Sequence, residues 1–413
     1  MRSTLPLRIF AAAWLALALA ACTSLGGPAT PRPPLLLISI DGLRPGDITP
    51  EAMPQLSRLA QTGVRAEGMR PSYPSLTFPN HYTLVTGLRP DHHGVTHNSM
   101  RDAELGEFRV ANREAVGNGR WWGGEPVWIG ADKAGLRTAV LYWPGSEAEI
   151  EGRRPSRWHP YDGDTSAQWR AQTVADWLLE DPATRPDFTA MYFDQVDEAS
   201  HTHGPASPEA DAARRETDAA IGQLLSRLEA RGLLARTNIV VVSDHGFADV
   251  PAGQALAVED MIDIEAARAD SIGQVVTFAP QPGFEAEAER RLLGRHDHYE
   301  CWRKADLPAR WHYGTHSRVP AIVCQMDPGW DALPREQLAR RQTQGDRGSH
   351  GYDPALPAMR ASFIAHGPAF KPGSRLPVFD NVDVYPLLMT LLHLQPAPND
   401  GDVHTFDGVS TGR

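Results

Sequence analysis

Three short apolar runs, each ending at an acid, constrain this chain more than any other feature. Leu35 to Ile40 runs into Asp41-Gly42, Phe188 to Phe193 into Asp194 with Asp197 just beyond, and Asn238 to Ser243 into Asp244-His245-Gly246. Continuous β-branched runs without polar alternation read as strands buried on both faces of a parallel sheet. Helical patterns lie between them, at Met53 to Thr62, Ser166 to Leu179, Pro208 to Arg231 and Asn381 to Leu392. The expected fold is therefore α/β, with a central, mostly parallel sheet flanked by helices. Ligand sites in such sheets lie at the carboxyl ends of the strands. Three strands would bring acids to one edge, where unpaired carboxylates repel and a cation relieves them.

Histidines complete the pattern. Asp197 and His201 are four residues apart, the spacing of one helical face. His245 adjoins Asp244 at a strand exit, and His350 lies in the glycine-flanked run Gly348-Ser349-His350-Gly351. Asp and His without neighbouring Cys form an N/O donor set suited to zinc first, with manganese or iron as alternatives. A hydroxyl nucleophile is offered by Thr77, in Ser75-Leu76-Thr77-Phe78-Pro79-Asn80-His81-Tyr82, where Thr77 also reads as a helix N-cap.

Arg2 and Arg8 precede an apolar run from Ile9 to Ala21, the layout of a signal peptide over residues 1–21. The run ends Leu19-Ala20-Ala21-Cys22, which resembles a bacterial lipobox and predicts lipidation of Cys22. Residues 22–34 read as a Gly/Pro-rich tether. A periplasmic location follows as an expectation, with outer-membrane anchoring through Cys22 as the sole membrane contact. In that oxidising compartment Cys301 and Cys324 are expected to form a disulfide. With 51 acidic against 40 basic residues and a net charge of -11, the chain is not built to coat nucleic acid. A monomer is expected.

From about Leu35 onward the chain resembles the nucleotide pyrophosphatase/phosphodiesterase family of the alkaline phosphatase superfamily. The matching motifs occur in family order: Asp41-Gly42, Thr77 to Tyr82, Thr86-Gly87, His92-His93-Gly94 leading to Asn98, Gly124 to Trp128, Trp143-Pro144-Gly145, Asp197 to His201, Ser243 to Gly246, and His350-Gly351-Tyr352. The resemblance implies an alkaline-phosphatase-like catalytic core over 35–261 and 348–413, with residues 262–347 as an inserted α+β cap. It implies two zinc ions, one held by Asp41, Thr77, Asp244 and His245, the other by Asp197, His201 and His350. Thr77 would be the nucleophile and form a phosphothreonine intermediate. Asn98 and the Phe78 N–H would hold a phosphate oxygen, and Phe78 and Tyr192 would clamp a nucleobase. His81, His92, His93 and Asp194 read as structural.

The expected activity is hydrolysis of nucleotides and nucleotide-like diesters to nucleoside 5'-monophosphates. Choline-headgroup or lysophospholipid diesters are the alternative on the same site. The Cys/Ser-x-Pro-x-Arg pattern of sulfatases is absent, and no Arg adjoins Thr77 as in phosphatases. A neutral amide at Asn98 suits a singly charged diester better than a dianionic monoester. The stretch from Met100 to Arg120 reads as a loop shaping the substrate pocket.

Overall fold

The computed structural model describes residues 32–341 and 345–411. The expected signal peptide and Cys22 lie outside them. No helix among the described residues is long and apolar enough to cross a membrane.

The central sheet has eight strands, in the spatial order Ser374–Leu376, Val64–Ala66, Phe363–His366, Asn238–Val242, Leu35–Ile40, Phe188–Phe193, Thr138–Leu141 and Arg157–His159. All pairs are parallel except those of Phe363–His366, which runs against both neighbours. The three acid-terminated runs are thus adjacent at the centre. Register sets Ile40 level with Phe193 and Ser39 level with Val242. The chain therefore leaves all three strands at one height, and the Asp41 N–H donates to Phe193 O at 2.9 Å.

Alternation divides the strand residues between two apolar layers. Leu36, Ile38, Ile40, Met191, Phe193, Ile239 and Val241 pack beneath helices Pro54–Thr62, Ala167–Leu178 and Pro208–Ala230. Leu35, Leu37, Phe188, Ala190, Val240 and Val242 face the opposite layer, which includes helices Thr77–Thr86, Val127–Lys133 and Val384–Leu391. Helix starts follow local chemistry. Ser166 accepts the Trp169 N–H, while Ser207 accepts the Ala210 N–H and is followed by Pro208. The predicted helix from Asn381 begins instead as a 3-10 turn, Asn381–Asp383, before Val384–Leu391.

Residues 267–326 build a second, antiparallel sheet in the order Ala267–Ser271, Val275–Pro280, Ile322–Met326, Tyr299–Arg303 and Gly294–His296. Helix Glu285–Leu292 buries Ala288 and Leu292 against it. Cys301 and Cys324 face each other across paired strands and are joined as a disulfide. The expected loop from Met100 to Arg120 is more ordered than its sequence suggests. It contains the hairpin Ser99–Asp102/Gly106–Arg109 and a short helix, Arg113–Gly117, whose first N–H groups bond to Asn112.

Candidate metal centre

Asp41, Asp244 and His245 are fully buried where two central strands end. Gly42 turns the chain away at φ +68°, and a Cβ there would meet the Phe247 ring at 2.6 Å. The Gly42 N–H donates to Asp244 Oδ1 at 3.2 Å. Asp41 Oδ2 accepts the Tyr192 hydroxyl at 2.6 Å, leaving Oδ1 without a hydrogen-bond partner. Asp244 Oδ2 is 2.9 Å from His245 Nε2 but not aligned as a hydrogen bond, and it too lacks a partner.

Thr77 is the first residue of its helix rather than the cap. Leu76 occupies the cap position, so the threonine hydroxyl is not committed to backbone N–H groups. It lies 3.4 Å from His245 Nε2. The Phe78 N–H donates to Asn98 Oδ1 at 3.0 Å. That bond fixes which end of the Asn98 amide is acceptor, leaving its NH2 as the free donor beside Thr77.

The second group sits on helix Gln195–His203 and the loop at His350. His201 Nε2 is 3.5 Å from Asp197 Oδ2, and His350 Nε2 is 3.5 Å from Asp197 Oδ1. The two Nε2 atoms are 3.0 Å apart. Each histidine is pinned at its other nitrogen by a backbone carbonyl: His201 Nδ1 by Gly348 O at 3.2 Å, His350 Nδ1 by Ser75 O at 2.9 Å, His245 Nδ1 by Gly246 O at 3.0 Å. A carbonyl only accepts, so Nδ1 carries the hydrogen in all three and Nε2 is the end left for a metal.

The electrostatics favour a bound cation. Burial, followed by the charges of Asp244 and Asp197, pushes the Asp41 carboxyl well above the usual range. Burial also raises Asp197. Burial lowers His201, and lowers His350 strongly with help from His245 and His201. Burial opposes charge on Asp244 and His245 as well, yet their mutual attraction wins, holding Asp244 low and His245 high. Two neutral imidazoles thus aim lone pairs at one point, beside carboxylate oxygens without partners at Asp41, Asp197 and Asp244. Donors from Asp197, His201 and His350, and from Asp41, Asp197 and His245, each converge within 4.8 Å. This arrangement fits divalent metal with N/O ligands.

His81 supports the site from behind. Its Nδ1 donates to Thr77 O at 2.9 Å, and Nε2 meets the Ser39 hydroxyl at 2.7 Å. Asp194 accepts from Tyr161 OH at 2.5 Å and from Arg170, a wholly buried arginine. His93 is buried against Thr83 and the Val95 N–H, and His92 pairs with Asp400.

A cavity of about 620 Å³ opens over both groups. Phe78 lines it, backed by Trp122 with ring centroids 6.0 Å apart. Tyr192 borders it but is only 8% exposed, with its edge to His81 and its hydroxyl spent on Asp41. Tyr161 is a half-buried ring on the cavity wall, as Phe78 is, with the Arg113 guanidinium 5.4 Å above it. Sequence reasoning passed over Tyr161. It stands in a polar loop, Tyr161-Asp162-Gly163-Asp164, with no strand end or motif to mark it.

The family described as type I phosphodiesterase / nucleotide pyrophosphatase matches residues 35–353. Bovine ectonucleotide pyrophosphatase/phosphodiesterase family member 3 is 33% identical over 402 residues, covering 92% of this chain and 45% of its own. A venom phosphodiesterase of Crotalus durissus collilineatus is 33% identical over 401 residues, covering 92% and 47%. The chain thus spans about half the length of these curated relatives. An uncharacterized pyrophosphatase/phosphodiesterase of Schizosaccharomyces pombe, 33% identical over 394 residues, is covered to 79%. Murine ectonucleotide pyrophosphatase/phosphodiesterase 5, in an inactive threonine-to-alanine form with AMP, superposes with a TM-score of 0.85 at 28% identity. The match covers 92% of this chain and all of that one.

Proposed function

Because the chain belongs to the type I phosphodiesterase / nucleotide pyrophosphatase family, we propose that it is a two-zinc phosphodiesterase releasing nucleoside 5'-monophosphates. The observation carrying this reading is a pair of adjoining donor groups, Asp197, His201 and His350 in one and Asp41, Asp197 and His245 in the other, with each histidine fixed by a carbonyl at Nδ1 and the Thr77 hydroxyl against His245. Asp41, Thr77, Asp244 and His245 would hold one zinc, and Asp197, His201 and His350 the other. Bound zinc supplies Lewis-acid stabilisation of phosphate charge and lowers the pKa of a bound hydroxyl or water.

The chain's own groups do the rest. Thr77 Oγ1 attacks phosphorus in line, its proton passing to solvent. The bond to the leaving oxygen breaks, and that oxygen keeps the electron pair. Water then attacks the phosphothreonine, freeing the monophosphate and restoring Thr77. The Asn98 NH2, oriented through its Oδ1, donates to a non-bridging oxygen. Phe78 and Tyr192, with Tyr161 also on the cavity wall, offer aromatic surface for a base. The AMP complex of the murine relative and its inactivating threonine substitution support a nucleotide substrate and a threonine nucleophile.

The test is turnover of a chromogenic diester and its matching monoester by the mature protein, before and after chelation and zinc return. Diester preference restored by zinc, and lost in Thr77→Ala by at least about a thousandfold, is expected. Wild-type rates in Thr77→Ala would dismiss the covalent route, and monoester preference would dismiss the role given to Asn98.

A further inference from the structure

The cavity wall is poorly suited to a polyanion. Among its described lining residues Arg113 is the single lysine or arginine, and it is paired with Glu147. Beyond the metal-facing carboxylates the wall carries Glu147, Asp164, Asp194 and Glu198. Asp194 is matched by buried Arg170. Glu198 is exposed, and among the described residues its hydrogen bonds are backbone ones, from its N–H to Asp194 O and from the Thr202 hydroxyl to its carbonyl.

The position of Glu198 gives this consequence. It follows Asp197 and precedes His201 by three residues, on the cavity side of helix Gln195–His203 together with Thr202. Thr77 lies against His245, in the other ligand group. With phosphorus held between the two ligand groups, in-line displacement sends the leaving oxygen away from Thr77, towards the Asp197–His201 helix. A leaving group therefore departs past the Glu198 carboxylate, with no free cation on the wall to receive added negative charge.

We infer that this site favours nucleotide diesters whose leaving group carries a cation or little charge over nucleoside polyphosphates, and that Glu198 sets the preference. The inference rests on the phosphodiesterase reading above. A matched pair isolates it: cytidine diphosphate choline and cytidine triphosphate share the nucleoside half and the type of bond broken. In each, Thr77 Oγ1 bonds to the phosphorus next to the nucleoside, and the bridging oxygen leaves with the electron pair. From the first it leaves as phosphocholine, which carries a quaternary ammonium; from the second, as pyrophosphate, with several negative charges.

The experiment measures kcat/KM for both nucleotides on the zinc-loaded wild type, E198Q and E198R across ionic strength. At low salt the choline nucleotide is expected to lead by about tenfold or more. The gap should narrow as salt rises towards about 0.5 M, because screening weakens the repulsion of the triphosphate. E198Q should narrow it by on the order of fivefold and E198R should reverse it. Glu198 is exposed, so E198Q is expected to fold; if E198R does not, E198Q together with the salt dependence of the wild type decides. Equal or faster cleavage of the triphosphate by the wild type, or an unchanged ratio in E198Q, overturns the inference while leaving the phosphodiesterase reading intact. Cleavage of neither nucleotide overturns both.

Discussion

Replacing Tyr192 with phenylalanine separates the two roles its position allows. The ring stays, so any stacking stays, but the hydroxyl that donates to Asp41 Oδ2 at 2.6 Å is lost. Burial, together with the charges of Asp41, Asp194 and Asp197, pushes the Tyr192 hydroxyl well above its ordinary range, so it remains a protonated donor at every working pH. Its bond favours charged Asp41 against burial and the neighbouring carboxylates, which drive that group towards protonation. Removing it leaves both Asp41 oxygens without a hydrogen-bond partner and makes a proton a stronger competitor for the metal. A hydrogen bond to a charged group contributes about 1.5–3 kcal/mol. At about 1.4 kcal/mol per decade, that is roughly a 10- to 100-fold loss of zinc affinity. Competition with a chromophoric chelator measures this directly, while KM for a diester at saturating zinc should change less than about threefold. Zinc affinity within about twofold of wild type would refute the positioning of Asp41 by Tyr192.

Two further outcomes test the scaffold. Burial lowers His97 to about 4 and His93 to about 3, so the unfolded chain takes up protons at these sites below about pH 6.5 while the folded chain does not. Stability from each is complete above that pH and declines on acidification, by about 2 kcal/mol per histidine at pH 5. In His97→Asn, urea unfolding at pH 7 and pH 5 should show a loss on acidification smaller than wild type by about that amount; parallel losses would refute the linkage. Asp218 accepts the Gln55 and Leu56 N–H groups at 3.0 and 2.9 Å, capping helix Pro54–Thr62 from a different helix. Asp218→Ala should destabilise by about 1–2 kcal/mol in the same assay without altering zinc content, and an unchanged midpoint would show that solvent replaces the cap.

The sheet centre was legible because burial on both faces writes continuous apolar runs. Leu35–Ile40 and Phe188–Phe193 have the predicted bounds, and the third run ends one residue early, at Val242. The second sheet was legible only where its strands are apolar. The apolar runs Gln274 to Phe278 and Ala321 to Gln325 read as strands and overlap Val275–Pro280 and Ile322–Met326, whereas Ala267–Ser271 carries the charged residues Arg268 and Asp270, which hide the strand. The candidate ligands were legible because their chemistry marks them at strand and helix ends. Their tautomers were not, since Gly348 O and Ser75 O reach His201 and His350 across 147 and 275 residues. A second role of Tyr192 is hidden for a related reason. Its sequence position shows an aromatic at a strand end, and only packing reveals that its hydroxyl is turned inward to Asp41.

His350 shows how the second sheet enters the chemistry of the first. Strand Arg347–Ser349 is paired with Ala248–Val250, just beyond Asp244 and His245, in a two-stranded sheet of its own. The Arg347 side chain bonds to Gly348 O, the carbonyl that also orients His201. The same arginine pairs with Asp331, buried beside the second sheet and also bonded by Gln274. A side chain at position 348 would meet Ser200 O at 2.7 Å and the Phe247 ring at 2.8 Å, so only glycine lets that carbonyl approach the Asp197–His201 helix. Breaking a buried ion pair by removing one partner costs about 3–5 kcal/mol. That makes Arg347 and Asp331 a stiff connection rather than a surface contact. The ligand loop is therefore held from two sides at once, by its pairing with Ala248–Val250 and by the contact of Arg347 with Asp331.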